Sequence, residues 1–263
     1  MELSIFQVDA FSDKVFGGNP AAICPLEHWL PDATLQSIAN ENNLAETAYF
    51  VGSGGGRYHL RWFTPAVEID LCGHATLASA HVLFHELGVL GDTVYFDTKS
   101  GELKVKREGD LLVMDFPSRP PIQVTVEPGL VEAMGGKPRE ILAARDCLLA
   151  YDSEEEVLAL QPDMNALLKL DPFAFIATSR GKNCDFVSRF FAPKQGIPED
   201  PVTGSAHCTL IPYWAEKLGK TTLHARQVSA RGGELFCRLL GDRVEIAGHA
   251  VLYLKGSIWV PGV

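Results

Sequence analysis

Two kinds of feature in this sequence could carry chemistry without a cofactor: one out-of-place carboxylate and two buried helix starts. The carboxylate is Glu46. It lies in residues Leu44 to Val51, which read as a strand, and with a period of two it shares a face with Ala48 and Phe50. If that face points inward, the side chain loses hydration, which disfavours its charged form. A carboxyl group so placed suits general acid/base work, taking a proton and giving it back near neutral pH. Periodicity leaves the other orientation open, a strand-end Glu turned to water.

The first helix start follows a strand around Arg61-Trp62-Phe63 that Pro65 ends. The loop Asp70-Leu71-Cys72-Gly73-His74 leads into a run that is nearly all apolar, Ala75, Leu77, Ala78, Ala80, Val82, Leu83, Phe84 and Leu87, up to a stop at Gly88. A helix apolar on every side is buried, and its alanines make it thin enough for strands to surround. Its first N–H groups have no helical partner, so a buried start near Gly73-His74 is ready to hold an anion.

The same order of residues recurs once. Arg189-Phe190-Phe191-Ala192-Pro193 repeats Arg61-Trp62-Phe63-Thr64-Pro65, an aspartate follows each (Asp70, Asp200), and Gly204-Ser205-Ala206-His207-Cys208 echoes Gly73-His74-Ala75-Thr76-Leu77. The second helix runs to Gly219, with Pro212 expected to kink it or end its first part. One such unit per half implies two similar domains. If an approximate two-fold axis relates them, amides of Gly73, His74, Gly204 and Ser205 converge on one anion, most simply a carboxylate. Asp70, His74, Asp200 and Ser205 then line the same cleft. The plainer role for Asp70 and Asp200 is to cap their helices, which does not exclude function.

Other constellations are weaker. His81 and His85 are four apart on one helix, the spacing of zinc enzymes, but HExxH is absent and no metal is expected. Asp200, Ser205 and His207 all fall within one turn-to-helix segment, whereas a hydrolase triad draws on separate elements, and GxSxG is missing. Cys72, just before a helix start, could be a thiolate base; the matching place in the second half holds Thr203, so a two-thiol racemase is not available. Gly52 to Gly56 is a hairpin loop rather than a phosphate cradle, because no helix follows it. With neither GxGxxG nor a Walker loop, no cofactor is indicated.

The elements that must position these groups are mostly short strands. The hairpins around Lys99-Ser100-Gly101 and Glu108-Gly109-Asp110 precede a Pro-rich segment, Pro117, Pro120 and Pro121, the best candidate linker. Beyond it, Ile141 to Ala150 reads as one strand and Ser153 to Leu170 as one helix capped by Ser153. The fold class is therefore α+β, two similar domains (residues 1–117 and 118–263), each a barrel-like, mostly antiparallel sheet around a central helix. The chain has 263 residues, 46% of them hydrophobic, and a net charge of -10 without a basic run, which argues against nucleic-acid and membrane-surface partners. Six scattered cysteines without a CxxC pair argue against a disulfide scaffold or structural zinc. With no signal pattern at the start and no apolar run of membrane-spanning length, a reducing cytoplasm is the expected compartment.

Four runs, in order, GGNPAAI (Gly17 to Ile23), NNLAETAYF (Asn42 to Phe50), DLCGHATLASA (Asp70 to Ala80) and EDPVTGSAH (Glu199 to His207), resemble the PhzF-like family, which shares its fold with diaminopimelate epimerase and proline racemase. The resemblance implies an epimerase-like fold, with the C-terminal strand returning to the first domain. It implies a homodimer and a cofactor-independent isomerase acting on a small carboxylate-bearing molecule. Glu46 matches the family's catalytic glutamate. His74, Asp200 and Ser205 match residues around the substrate, and Gly73 matches a backbone contact. Cys72 matches the first catalytic cysteine of the racemases while Thr203 replaces the second, which favours isomerase over racemase chemistry. The alternatives are an epimerase using Cys72 and a ligand-binding relative that has lost the chemistry.

Overall fold

The structure, a computed structural model, describes residues 1–260. The chain divides into two compact units, residues 1–115 with the described residues from 247 on, and residues 116–246.

In the first unit the strand Glu2–Ala10 pairs antiparallel with Asn19–Leu26. The helix Asp32–Asn42 buries Leu35, Ile38 and Ala39, and Asn43 ends it in the left-handed conformation, φ 50°. This helix carries the chain back so that Glu46–Gly54 lies parallel to Asn19–Leu26. Gly54, Gly55 and Gly56, all at positive φ, turn that strand into the antiparallel Arg57–Phe63. A second crossover, the central helix Gly73–His81, places Thr93–Thr98 parallel to Arg57–Phe63. Gly101–Glu108 and Leu111–Pro117 follow as antiparallel neighbours. The strand Ala250–Trp259 completes the unit, antiparallel along Glu2–Ala10. Parallel neighbours cannot be joined by a tight turn, so each parallel pair requires a helical crossover.

The second unit repeats that order. Cys147–Ala150 pairs parallel with Phe175–Arg180 across two short helices, then Phe186–Ala192 pairs antiparallel. The central helix Gly204–Leu218 crosses over to the parallel strand Thr222–Gln227, which hairpins into Gly233–Leu240. The result is an α+β fold in which each unit has its own buried helix.

The repeated Arg-aromatic run has a physical counterpart in both units. Arg61 lies over the Phe63 ring at 5.1 Å and Arg189 over Phe191 at 4.9 Å. Each guanidinium also forks onto a glutamate of the next short strand. Arg61 donates to Glu68 at 2.8 and 2.9 Å, and Arg189 to Glu199 at 2.7 and 2.9 Å. The Arg61 hydrogen bonds, against the cost of burial and with help from Lys99, pull the Glu68 carboxyl from its ordinary 4.5 down to about 2. A depressed folded pKa contributes stability above the unfolded value and loses it as pH falls through the folded one. The urea midpoint gap between the parent and Glu68→Gln is therefore expected to be full above pH 4.5 and to close as pH approaches 2. A gap that does not change with pH would remove Glu68 from the acid response.

The central helix of the first unit packs against the strands Glu2–Ala10, Asn19–Leu26, Glu46–Gly54 and Ala250–Trp259. Every residue from His74 to Ala80 is buried. Its two hydroxyls are satisfied internally, Thr76 donating to the Cys72 carbonyl at 2.6 Å and Ser79 to that of Ala75 at 2.7 Å. A wider π-helical turn, Val82–Glu86, follows.

Two expectations from the sequence are corrected, and of the two outcomes expected at Pro212 the end of the helix is not the one found. Residues Ile141 to Ala150 form two strands, Glu140–Ala143 and Cys147–Ala150, broken at a turn that holds Arg145 and the buried Asp146. Residues Ser153 to Leu170 form two short helices, Glu154–Ala159 capped by Ser153 and Met164–Leu167 capped by Asp163. Pro162 between them cannot continue a helix, and the residue before it is pushed to extended geometry. The helix Gly204–Leu218, by contrast, continues through Pro212. Proline removes the N–H that would serve the Cys208 carbonyl, and the Arg119 N–H donates to that carbonyl instead, at 2.8 Å. No helix of the described residues is long and apolar enough to cross a membrane.

Candidate active site

Glu46 stands at the first residue of its strand, and the strand is buried on both faces from Glu46 to Phe50. The inward orientation left open by periodicity is the one observed: Glu46 is only 7% exposed. Its Oε2 lies 3.0 Å from His74 Nε2, at ion-pair distance but outside hydrogen-bond geometry, so that buried oxygen keeps a free lone pair. Unsatisfied buried polar atoms are rare and call for an explanation such as a catalytic role.

His74 is the second residue of its helix and is buried against the same strand. Its Nδ1 lies 3.2 Å from the Asn19 side-chain amide and 3.4 Å from Cys72 Sγ. An amide can present either its NH2 or its oxygen to the ring, so Asn19 can accompany both protonation states of His74. Burial opposes a charge on the ring, but the Cys72 sulfur and the Glu46 carboxylate beside it outweigh that and hold its pKa well above the usual imidazole value. Burial, reinforced by Glu46 and partly offset by His74, pushes the Cys72 thiol up to about 11. A cysteine base needs the opposite shift. Near neutral pH Cys72 is thus a thiol, beside a ring whose charged form is favoured and which faces Glu46.

One oxygen, one nitrogen and one sulfur of Glu46, His74 and Cys72 fall within 4.8 Å of one another. This is a set that could hold a divalent cation if both the thiol and the ring gave up protons. The His81 and His85 rings lie 4.6 Å apart, tilted by 31°, and burial, then the neighbouring ring, lowers His81 to about 4.

In the second unit, Asp200 Oδ2 accepts a 2.5 Å hydrogen bond from the Thr203 hydroxyl. Gln227 holds this turn from three sides. It accepts from the Thr203 N–H at 2.8 Å and donates to the Asp200 carbonyl at 2.7 Å and to the Thr203 hydroxyl at 3.2 Å. His207 Nδ1 donates to the Thr203 carbonyl at 2.8 Å, and burial lowers its pKa to about 4, so it is a neutral structural ring. Asp200 and His207 both point to Thr203 rather than to Ser205, which excludes a triad of the three. Ser205 and Gly204 stand at the helix start, Gly204 buried and Ser205 half-buried.

The capping role considered for the two aspartates is not the one found. The cap positions are Cys72 and Thr203, and neither makes a side-chain capping hydrogen bond. Asp70 is exposed, and its carbonyl accepts from Ser100. Both helix starts, at Gly73 and at Gly204, therefore keep backbone N–H groups available. Asn19 and Gln227 were not singled out by sequence reasoning. Asn19 hides in a Gly-Gly-Asn-Pro run that signals only a turn, and nothing local marks Gln227, whose partners lie more than twenty residues upstream in a different element.

The family model described as phenazine biosynthesis-like protein matches residues 8–256. A Pseudomonas aeruginosa protein named as an uncharacterized isomerase is 54% identical over 258 residues, covering 98% of this chain and 99% of that one. The crystal structure of an Enterococcus faecalis protein of the phenazine biosynthesis PhzF family superposes with a TM-score of 0.96 at 48% identity, covering 99% and 100% of the two chains. A hydroxyproline epimerase from Agrobacterium vitis shares the fold alone, with a TM-score of 0.59 at 10% identity over 98% of this chain and 91% of that one.

Proposed function

Because the chain belongs to the phenazine biosynthesis-like (PhzF) family, we propose that it is a cofactor-independent isomerase that moves a proton on a small carboxylate-bearing substrate, with Glu46 as the acid/base. The observation that carries this reading is the buried Glu46 Oε2, with no hydrogen bond of its own among the described residues. As a carboxylate, Glu46 takes a proton from an activated carbon of the substrate. As the resulting acid, it returns that proton to another carbon, so the double bond shifts and the enzyme is regenerated. The His74 imidazolium faces the carboxylate and orients the substrate's polar groups. The N–H groups at the Gly73 helix start bind the carboxylate by charge-assisted hydrogen bonds, and in the second unit Asp200, Gly204 and Ser205 offer polar groups of the same kind. The reading includes a homodimer in a reducing cytoplasm, and six free thiols are compatible with such a compartment.

Turnover in deuterated water tests the proton route. A double-bond shift with deuterium carried between two carbons is expected. Exchange confined to one stereocentre would replace the isomerase by an epimerase. The epimerase reading needs Cys72 as a base, and a thiol held at about 11 is a poor one. Cys72→Ser is accordingly expected to keep kcat within about threefold of the parent, far from the ~10²–10⁴-fold loss of a true acid/base group. A loss in that larger range would transfer the base role to Cys72.

A further inference from the structure

The turn that breaks residues 140–150 into two strands carries a second buried carboxylate, remote in sequence from every residue assigned above. Asp146 is 1% exposed, and its Oδ1 has no hydrogen-bond partner among the described residues. The nearest cation on the same turn is Arg145, whose Nε is 3.8 Å away, beyond hydrogen-bond reach. Its guanidinium also lies over the Phe173 ring, at 4.8 Å. Burying a carboxylate without a bonded partner is costly. An alanine side chain would carry no such penalty.

Asp146 lines a cavity of about 420 Å³ in the second unit, within the size range of small-molecule sites. Leu130, Ile141 and Phe173 supply apolar wall, and Val124 and Val126 stand at the rim, partly exposed. The charged lining is three carboxylates, Glu127, Asp146 and Asp171, against the single Arg145. Glu127 is itself occupied, accepting from the Asp171 N–H at 2.9 Å, which leaves Asp146, whose Oδ1 meets Arg145 only at 3.8 Å, as the buried acceptor without a hydrogen bond. We infer that this cavity is a binding site for an organic cation, an ammonium or amidinium on an apolar body, whose charged head meets Asp146 and whose body lies against Phe173 and Leu130. The site uses none of the residues of the Glu46 and His74 constellation.

Phenethylamine is a suitable probe, with 2-phenylethanol and phenylacetate as its neutral and anionic counterparts, each titrated against the full chain by calorimetry and by the melting transition. Saturable binding of the amine alone, with a raised melting temperature, is expected. Asp146→Asn should weaken that binding about ten- to hundredfold, the worth of a charge-assisted hydrogen bond. Val126→Lys, at the exposed rim, is expected to block the site from within by offering its own ammonium; it decides the matter should Asp146→Asn fail to fold. No binding of the amine to the parent, equal binding of 2-phenylethanol, or amine binding untouched by the substitutions would each overturn the assignment.

Discussion

Glu46→Gln is expected to lower kcat by ~10²–10⁴-fold while a substrate or product analogue still binds the folded variant with nearly the parent affinity. Glutamine keeps the shape and the buried position but can neither take nor return a proton at that oxygen. His74 would lose the carboxylate that its Nε2 now faces at 3.0 Å, so its ring should titrate at lower pH in the variant, a shift that NMR of the imidazole protons reads directly. The two readouts separate chemistry from folding. A variant that turns over at the parent rate would remove the acid/base role from Glu46, and one that loses ligand affinity in proportion to rate would make the residue a binding group instead.

The second large effect is expected at Gly18, one residue before Asn19. Gly18 adopts φ +63°, and a Cβ built there would sit 2.1 Å from the Ala10 carbonyl oxygen. That oxygen belongs to the residue paired with Asn19 at the mouth of the hairpin. The rest of the turn cannot give way easily. Phe11 and Phe16 are themselves at positive φ, 64° and 71°, and the buried Asp9 carboxylate accepts from the Phe16 N–H at 2.8 Å. Gly18→Ala should therefore cost about 1–3 kcal/mol from backbone strain alone, with the carbonyl clash added to it. Because the displaced residue is Asn19, kcat should fall as well, since His74 loses the amide facing its Nδ1. Chemical denaturation and steady-state rates check both parts. A Gly18→Ala variant as stable and as active as the parent would show that the turn does not hold Asn19 in place.

What the sequence disclosed about this molecule follows from what is local. The two buried helices were legible because an all-apolar run after a Gly start has one physical reading, and their pairing because Arg, aromatic, Pro, Asp and Gly recur in order. The Arg61–Glu68 and Arg189–Glu199 forks show that the recurrence is structural. Glu46 was legible as a candidate but not its direction, since its strand is covered on both faces and alternation carries no information there. The parallel pairings were not legible at all. Nothing within Asn19–Leu26 or Glu46–Gly54 states that they run side by side in the same direction, because that is decided by the crossover helix between them. That the helix would run on through Pro212 was not legible for a related reason: the Arg119 N–H that serves the Cys208 carbonyl belongs to a segment far away in sequence.

The strand Ala250–Trp259, laid along Glu2–Ala10, has a consequence for synthesis. A ribosome delivers residues 116–246 as one unbroken stretch, so that unit can fold as soon as it has emerged. The unit holding Glu46 and His74 must wait, partly assembled, with one flank of its first strand uncovered until residues 250–259 have emerged. Nascent chains stalled before that point should carry a folded second unit and an unfinished first one, and a holdase on the ribosome would find its binding surface there.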